Sequence, residues 1–148
     1  MKSVAVAVFL ALTWAACGEA KTHSTFRAHV QANPSDGPTF STKLRLFGRE
    51  VTIEKVPTLA ENDVTALQIY PAADGTYGAL FQLNEHGRLA LDSLSIERRG
   101  GFLFVFINGR PAAELQIDRR VSDGKIYIAS GLSANDIELL KKDWPARK

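Results

Sequence analysis

Side chains able to do chemistry are few in this chain and widely spaced. Ser133 lies in Gly131-Leu132-Ser133-Ala134-Asn135, one glycine short of the Gly-x-Ser-x-Gly turn that strains a nucleophile into the open. It also directly precedes a helix-like segment, where a serine caps the first turn, and capping is the reading taken here. His23, His29 and His86 have no cysteine or acidic residue at metal-ligand spacing, so they read as solvated surface. Glu85 and Asp92 are seven residues apart and share a helical face, but Arg88 stands between them. That trio reads as a row of surface ion pairs rather than an acid and base pair. With no nucleophile, base and orienting group to combine, the sequence predicts a non-enzymatic protein without catalytic, cofactor-binding or metal-binding residues.

Charge narrows the partners further. The 148 residues carry 18 Lys+Arg and 16 Asp+Glu, a formal net charge of +2, so nothing supports nucleic-acid binding. The basic doublets Arg98-Arg99 and Arg119-Arg120 are neutralised locally by Glu97, Asp118 and Asp123 and read as soluble loops rather than a lipid-binding patch. A single cysteine, Cys17, cannot form an internal disulfide, and packing alone must supply the stability.

The position of that cysteine is informative. Residues 1–20 read MKSVAVAVFLALTWAACGEA, with one cation at Lys2 followed by an apolar or small stretch over residues 4–16. This is the order of a secretory signal, and 13 residues are too few to cross a bilayer that needs about 20. Trp14-Ala15-Ala16-Cys17 is similar to the bacterial lipobox, in which small residues precede a cysteine that is acylated before cleavage. Trp14 departs from the usual aliphatic residue, and a plain cut after Ala20 is the competing reading. The expected organisation is a lipoprotein-type signal over residues 1–16 with Cys17 as lipid attachment, a flexible tether over 17–41, and a folded domain over 42–148. The tether rests on the Thr, Ser, Asn, Gly and Pro content of residues 21–38. Pro34 disqualifies Asn33-Pro34-Ser35 as a glycosylation site.

Periodicity supplies the elements. Leu44 and Leu46, then Val51 and Ile53, alternate with polar residues around a turn at Gly48-Arg49. Pro57 stops that pairing, and residues 59–63 read as a loop or short helical turn. Residues 64–70 and 77–83 form a second hairpin across Asp74-Gly75. A helix is predicted over 85–97, with Asn84 as N-cap, and Gly87 on its apolar stripe implies close packing of the first turn against a strand. Phe102 to Ile107, apolar on both faces, reads as the central strand, and Asn108-Gly109 turns the chain into a strand carrying Ala113, Leu115 and Ile117 inward. Phe102, Phe104 and Phe106 share one face of that strand and read as core. A short strand at Ile126 and Ile128 follows. Ser133 and Asp136 then form a capping box for a last helix that carries Ile137 and Leu140, favours Lys141 and Lys142 at its end, and stops at Pro145. The predicted class is α+β: a mostly antiparallel sheet with two helices on one face, plait-like in the order β-hairpin, helix, β-hairpin, short strand, helix.

Three stretches in this order, residues 81–87 (FQLNEHG), 101–111 (GFLFVFINGRP) and 131–140 (GLSANDIELL), resemble the head part of the first periplasmic domain of the protein-export membrane protein SecD. The resemblance spans residues 64 to about 140 and rests on a helix start, an Asn-Gly turn and a helix cap. It implies a stand-alone, envelope-facing copy of a module that touches unfolded chains in transit, without SecD's membrane-spanning helices. The implied partner is a protein of the cell envelope, met on the periplasmic side of a bacterial membrane, through edge strands that accept an extended peptide. The matched motifs are turns and caps, so they assign no partner-binding residue. The competing expectations are an interaction lipoprotein with one folded partner and, behind it, a small envelope hydrolase with an unrecognised site.

Overall fold

The computed structural model describes residues 23–144. The segment over residues 1–16 read as an export signal, Cys17 and Pro145 lie outside the described residues. Among the described residues nine strands and two helices follow one another: β1 (Phe26–Val30), β2 (Ser41–Leu46), β3 (Arg49–Glu54), β4 (Leu59–Ala60), a 3-10 turn (Glu61–Asp63), β5 (Val64–Pro71), β6 (Tyr77–Leu83), α1 (Glu85–Glu97), β7 (Phe102–Ile107), β8 (Arg110–Gln116), β9 (Lys125–Leu132) and α2 (Ala134–Asp143). Every strand pairing is antiparallel, and the class is α+β as the pattern predicted.

The strands divide into a four-stranded sheet in the order β4-β1-β7-β8, a three-stranded sheet β5-β6-β9, and the hairpin β2-β3. The inner faces of the two larger sheets share one core, where the Phe26 and Phe81 rings meet with centroids 4.8 Å apart. The helices are tied to different strand ends. Asn84 at the head of α1 donates its backbone N–H to the Asp63 carbonyl, beside the start of β5. Asp136 of α2 instead binds Asn108 and Arg110, in the turn between β7 and β8.

One expectation is overturned. Residues 26–30, assigned to the tether on composition, form β1, an interior strand paired with β7 from Phe26↔Ile107 to Val30↔Leu103. Phe26, Ala28 and Val30 alternate inward and are buried. Five residues flanked by polar sequence give a weak periodic signal, and it is the vacant edge of β7 that draws them into strand pairing. The following loop is held too, with the Ala32 N–H on the Thr52 carbonyl at 2.9 Å and the Asn33 N–H on the Asp36 carboxylate at 2.9 Å.

Strand β7 is apolar on both faces because both are covered. Leu103, Val105 and Ile107 enter the main core, whereas Phe104 packs with Leu46, Val51 and Ile53 beneath the β2–β3 hairpin, with Phe102 and Phe106 at its margins. The hairpin turns at Phe47-Gly48, one residue earlier than the sequence suggested, with φ of 49° and 80°. Positive φ at both positions is the I′ geometry that favours Asn-Gly, and phenylalanine there carries strain of about 1 kcal/mol. Because Phe47 is also 51% exposed, Phe47→Asn is expected to raise stability by about 0.5–1 kcal/mol, read as a higher midpoint in chemical denaturation.

Helix α1 has the predicted bounds. Asn84 accepts the Gly87 N–H at 2.8 Å, and a Cβ on Gly87 would lie 2.9 Å from the Asp63 Cβ and 3.1 Å from the Leu83 Cβ, which is the close packing that the glycine implied. Helix α2 carries the predicted box, with the Asp136 N–H on the Ser133 hydroxyl and the Ser133 N–H on the Asp136 carboxylate.

Candidate functional site: a cleft between two edge strands

Strands β8 and β9 are consecutive and antiparallel in course, yet they are edges of different sheets and share no ladder. They approach where Gly131 comes near the Ala112 carbonyl, 3.6 Å from where a glycine Cβ would sit. Toward the Gln116 and Lys125 ends they diverge, and a cleft of about 630 Å³ opens between them. Its floor is the core itself: Leu91 and Leu94 of α1, Leu103 of β7 and Ile126 of β9. Leu115, Leu80 and Tyr127 form its walls, and Asp118, Arg119, Arg120, Asp123 and Lys125 its rim. Tyr127 is 53% exposed and stands against Tyr70, with ring centroids 6.3 Å apart.

The connection between the strands explains why they do not close. In a tight hairpin residues 117–124 would pair β8 with β9, but their hydrogen-bonding groups are engaged elsewhere. The Ile117 N–H and carbonyl bind the Gly101 carbonyl and the Gly100 N–H at 2.9 and 2.7 Å. The Val121 N–H donates to the Ser95 hydroxyl at 2.9 Å, and that hydroxyl donates to the Asp92 carbonyl at 2.8 Å. Arg120 donates twice to the Asp92 carboxylate, at 2.6 and 2.8 Å, and the Gly124 carbonyl receives the Leu83 N–H. The loop is thereby drawn down onto α1, holding the strands apart. The hydrogen bonds from Arg120 hold the Asp92 carboxyl below the usual carboxylate range.

Irregularities limit how much of each edge is available. In β8, Pro111 lacks an N–H and the ladder shifts register between Val105 and Phe106. In β9 the register shifts opposite Gly78, where a Cβ would lie 2.6 Å from the Ile128 and Ala129 carbonyls. Both interruptions stand at the narrow end. Regular backbone flanks the wide part at residues 113–116 and 125–128, so each edge can match about four residues, or about 13 Å, of an added strand. A second hollow, about 650 Å³ between the loop after β1 and the β2–β3 hairpin, is lined largely by polar side chains such as Asn33, Asp36, Lys43 and Glu50.

The structure places the residues singled out for chemistry in a helix cap, ion pairs and hydrogen bonds. Ser133 is a helix cap. Arg88 pairs with Glu85 at 2.6 Å while Asp92 is taken by Arg120, so the expected row exists and includes a residue from the 117–124 loop. The hydrogen bond from Arg88 also lowers the Glu85 pKa. Arg98 reaches Glu54, 44 positions away, rather than Glu97. Two histidines do meet carboxylates through folding, His23 with Asp143 at 3.3 Å and His86 with Asp63 at 2.8 Å. His29 lies in β1 against Phe106, with a ring nitrogen 2.8 Å from the Glu54 carbonyl. No group of three or more potential metal ligands occurs among the described residues. Sequence reasoning did not find the cleft, since it placed β8 and β9 in one sheet; the polar run at residues 118–123 was the one available sign that no tight turn joins them.

The architecture has known counterparts. A solved structure described as the membrane component SecDF that enhances protein export aligns over 84% of this chain, with a TM-score of 0.57 and 15% identity. The chain has a SecDF-like fold. A second structure, of SecDF in a super-membrane-facing form, aligns over 83% of the chain with a TM-score of 0.58 and 14% identity. This chain spans 65% of the first SecDF chain and 19% of the second. No protein-family model and no curated protein sequence matches it. The periplasmic SecD head expected from three short motifs thus agrees with SecDF in fold, and among the described residues no helix is long and apolar enough to cross a membrane.

Proposed function

We propose that this protein is a non-enzymatic binding module of the cell envelope that takes extended segments of unfolded proteins into the β8–β9 cleft. In this reading residues 1–16 direct export, acylated Cys17 holds the domain on the periplasmic side of a bacterial membrane, and the role is linked to protein export. The observation that carries it is the pair of regular, unladdered edges flanking an apolar floor. Backbone hydrogen bonds to either edge are indifferent to sequence, and the floor favours apolar side chains, which together suit unfolded chains. The SecDF-like fold supports the same direction, since SecDF itself is described as enhancing protein export.

The test is a photo-reactive residue at Tyr127, with Lys43 on the distant strand β2 as control, irradiated in living cells. Heterogeneous adducts with newly exported chains are expected at Tyr127 and few at Lys43. A single stoichiometric adduct with one folded subunit would replace this reading with that of a structural lipoprotein.

A further inference from the structure

We infer that β9, rather than β8, is the edge that receives the incoming segment, and that the segments it selects alternate apolar and polar residues. The inference rests on the reading of the cleft as a site for unfolded chains, and it says which chains the cleft favours. Hydrogen bonding to β6 fixes which backbone groups of β9 face the cleft. The Gly124 carbonyl accepts the Leu83 N–H at 2.8 Å, and the register continues through Gln82↔Lys125, Phe81↔Ile126 and Leu80↔Tyr127. Because an antiparallel ladder bonds alternate residues, Gly124, Ile126 and Ile128 are turned toward β6, and Lys125 and Tyr127 present their backbone groups outward. The Lys125 N–H is taken by the Asp123 carboxylate at 3.2 Å. That leaves the Tyr127 N–H and carbonyl, with the Lys125 carbonyl, to bond an added strand.

A strand bonded there inherits the two faces of the β5-β6-β9 sheet. Its residue beside Tyr127 projects onto the outer face, and the residues before and after project inward with Ile126, over Leu91, Leu94 and Leu103. That floor suits apolar side chains. On the outer face Leu80 and Tyr127 are cross-strand neighbours flanked by Gln68, Gln82 and Lys125, so a polar residue fits there, or an aromatic one packed on Tyr127. The two faces together call for a period of two, the pattern of a half-buried strand. A continuous apolar run is disfavoured, because its alternate side chains would lie on the polar outer face. Charge does not select, since Asp118 and Asp123 offset Arg119 and Lys125 at the rim and Arg120 is tied to Asp92.

The β8 edge is less open. Its ladder, continued by the Ile117 N–H on the Gly101 carbonyl, turns Leu115 toward β7 and the backbone groups of Glu114 and Gln116 outward. The Glu114 carboxylate is held by Arg49, whose guanidinium also lies over the Phe102 ring, 5.1 Å from its centroid. A strand added to β8 would set its outer side chains against that assembly, whereas the face beside Tyr127 is open to solvent.

The experiment measures, by fluorescence anisotropy, binding of the full-length chain to two labelled peptides of equal length and composition. One alternates valine or leucine with serine, threonine or asparagine, and in the other the apolar residues are contiguous. The alternating peptide is expected to bind at least about fivefold tighter. Tyr127→Pro removes an outward N–H without touching the β6 ladder and should weaken that binding at least about tenfold, whereas Gln116→Pro, its equivalent on β8, should leave it within about twofold. Tyr127→Ala keeps the N–H, should weaken binding about threefold, and supplies a readable variant if the proline form does not fold. Equal affinity for the two peptides, or loss that follows Gln116→Pro instead, overturns the inference. Reduced, carboxymethylated α-lactalbumin judges the cleft reading separately. A wild-type chain that leaves this unfolded protein unbound removes that reading, whereas one that binds it without preference between the peptides loses only the strand register.

Discussion

Replacing Phe26 by alanine is expected to remove about 3–5 kcal/mol of stability, a large share of what a single domain possesses. The ring is 0% exposed, packs at a tilt against Phe81 and belongs to a strand with neighbours on both sides. Truncation leaves a cavity that the crossing of two sheets cannot collapse, so the lost transfer energy and the cavity term add. Urea denaturation followed by circular dichroism should show the midpoint falling with little change in slope. Phe26→Leu, which keeps most of the volume, should cost about 1–1.5 kcal/mol and provides a measurable variant if the alanine form does not fold. A wild-type midpoint for both would return residues 26–30 to the tether.

Asp136 carries the second large effect. Its side chain is 5% exposed and accepts from the Ser133 N–H and hydroxyl, the Asn108 amide at 3.3 Å and Arg110. Asn108 in turn receives the Thr25 N–H at 3.1 Å, so one carboxylate joins α2, the β7–β8 turn and the start of β1. Asp136→Ala should cost about 2–3 kcal/mol, mainly from the cap and the stranded amide partners, with a small share from Arg110, whose side chain is 62% exposed.

The carboxylate should also mark the pH profile. Burial pushes the Asp136 pKa up, but the Ser133 groups, Arg110 and Asn108 together outweigh it, and the net pKa lies below the ordinary value. A folded pKa below the unfolded value of about 3.9 gives stability that is complete well above that pH and is lost as pH falls through it toward the folded pKa. Asp136→Asn should therefore be less stable than the wild type at neutral pH and approach it near pH 3, the two curves converging in acid. Parallel curves through that range would assign the acid sensitivity to other carboxylates, such as Asp143, which the Ser24 N–H holds low.

Local chemistry in the sequence was legible wherever one short stretch contained the whole cause. Asn84 and Gly87 fixed the start of α1, Asn108-Gly109 set the β7–β8 turn, and Ser133 with Asp136 formed the cap of α2, because donor and acceptor lie within four residues of one another. The doubly apolar run from Phe102 to Ile107 announced a strand covered on both faces. By contrast, the partners of Arg98, Arg120 and His86 lie 44, 28 and 23 positions away, beyond any local rule.

From sequence alone came the α+β class, both helices with their caps and the hairpins, since helix capping, turn chemistry and alternation are short-range energies. Only the tertiary structure recruited β1 from a polar stretch, split the strands into separate sheets and left β8 and β9 apart. Those outcomes depend on which distant surfaces compete for the same backbone groups. The loop over residues 117–124 could have paired its own strands, but it makes its hydrogen bonds to Gly101, Ser95 and Leu83 instead, and the cleft is the space this choice leaves.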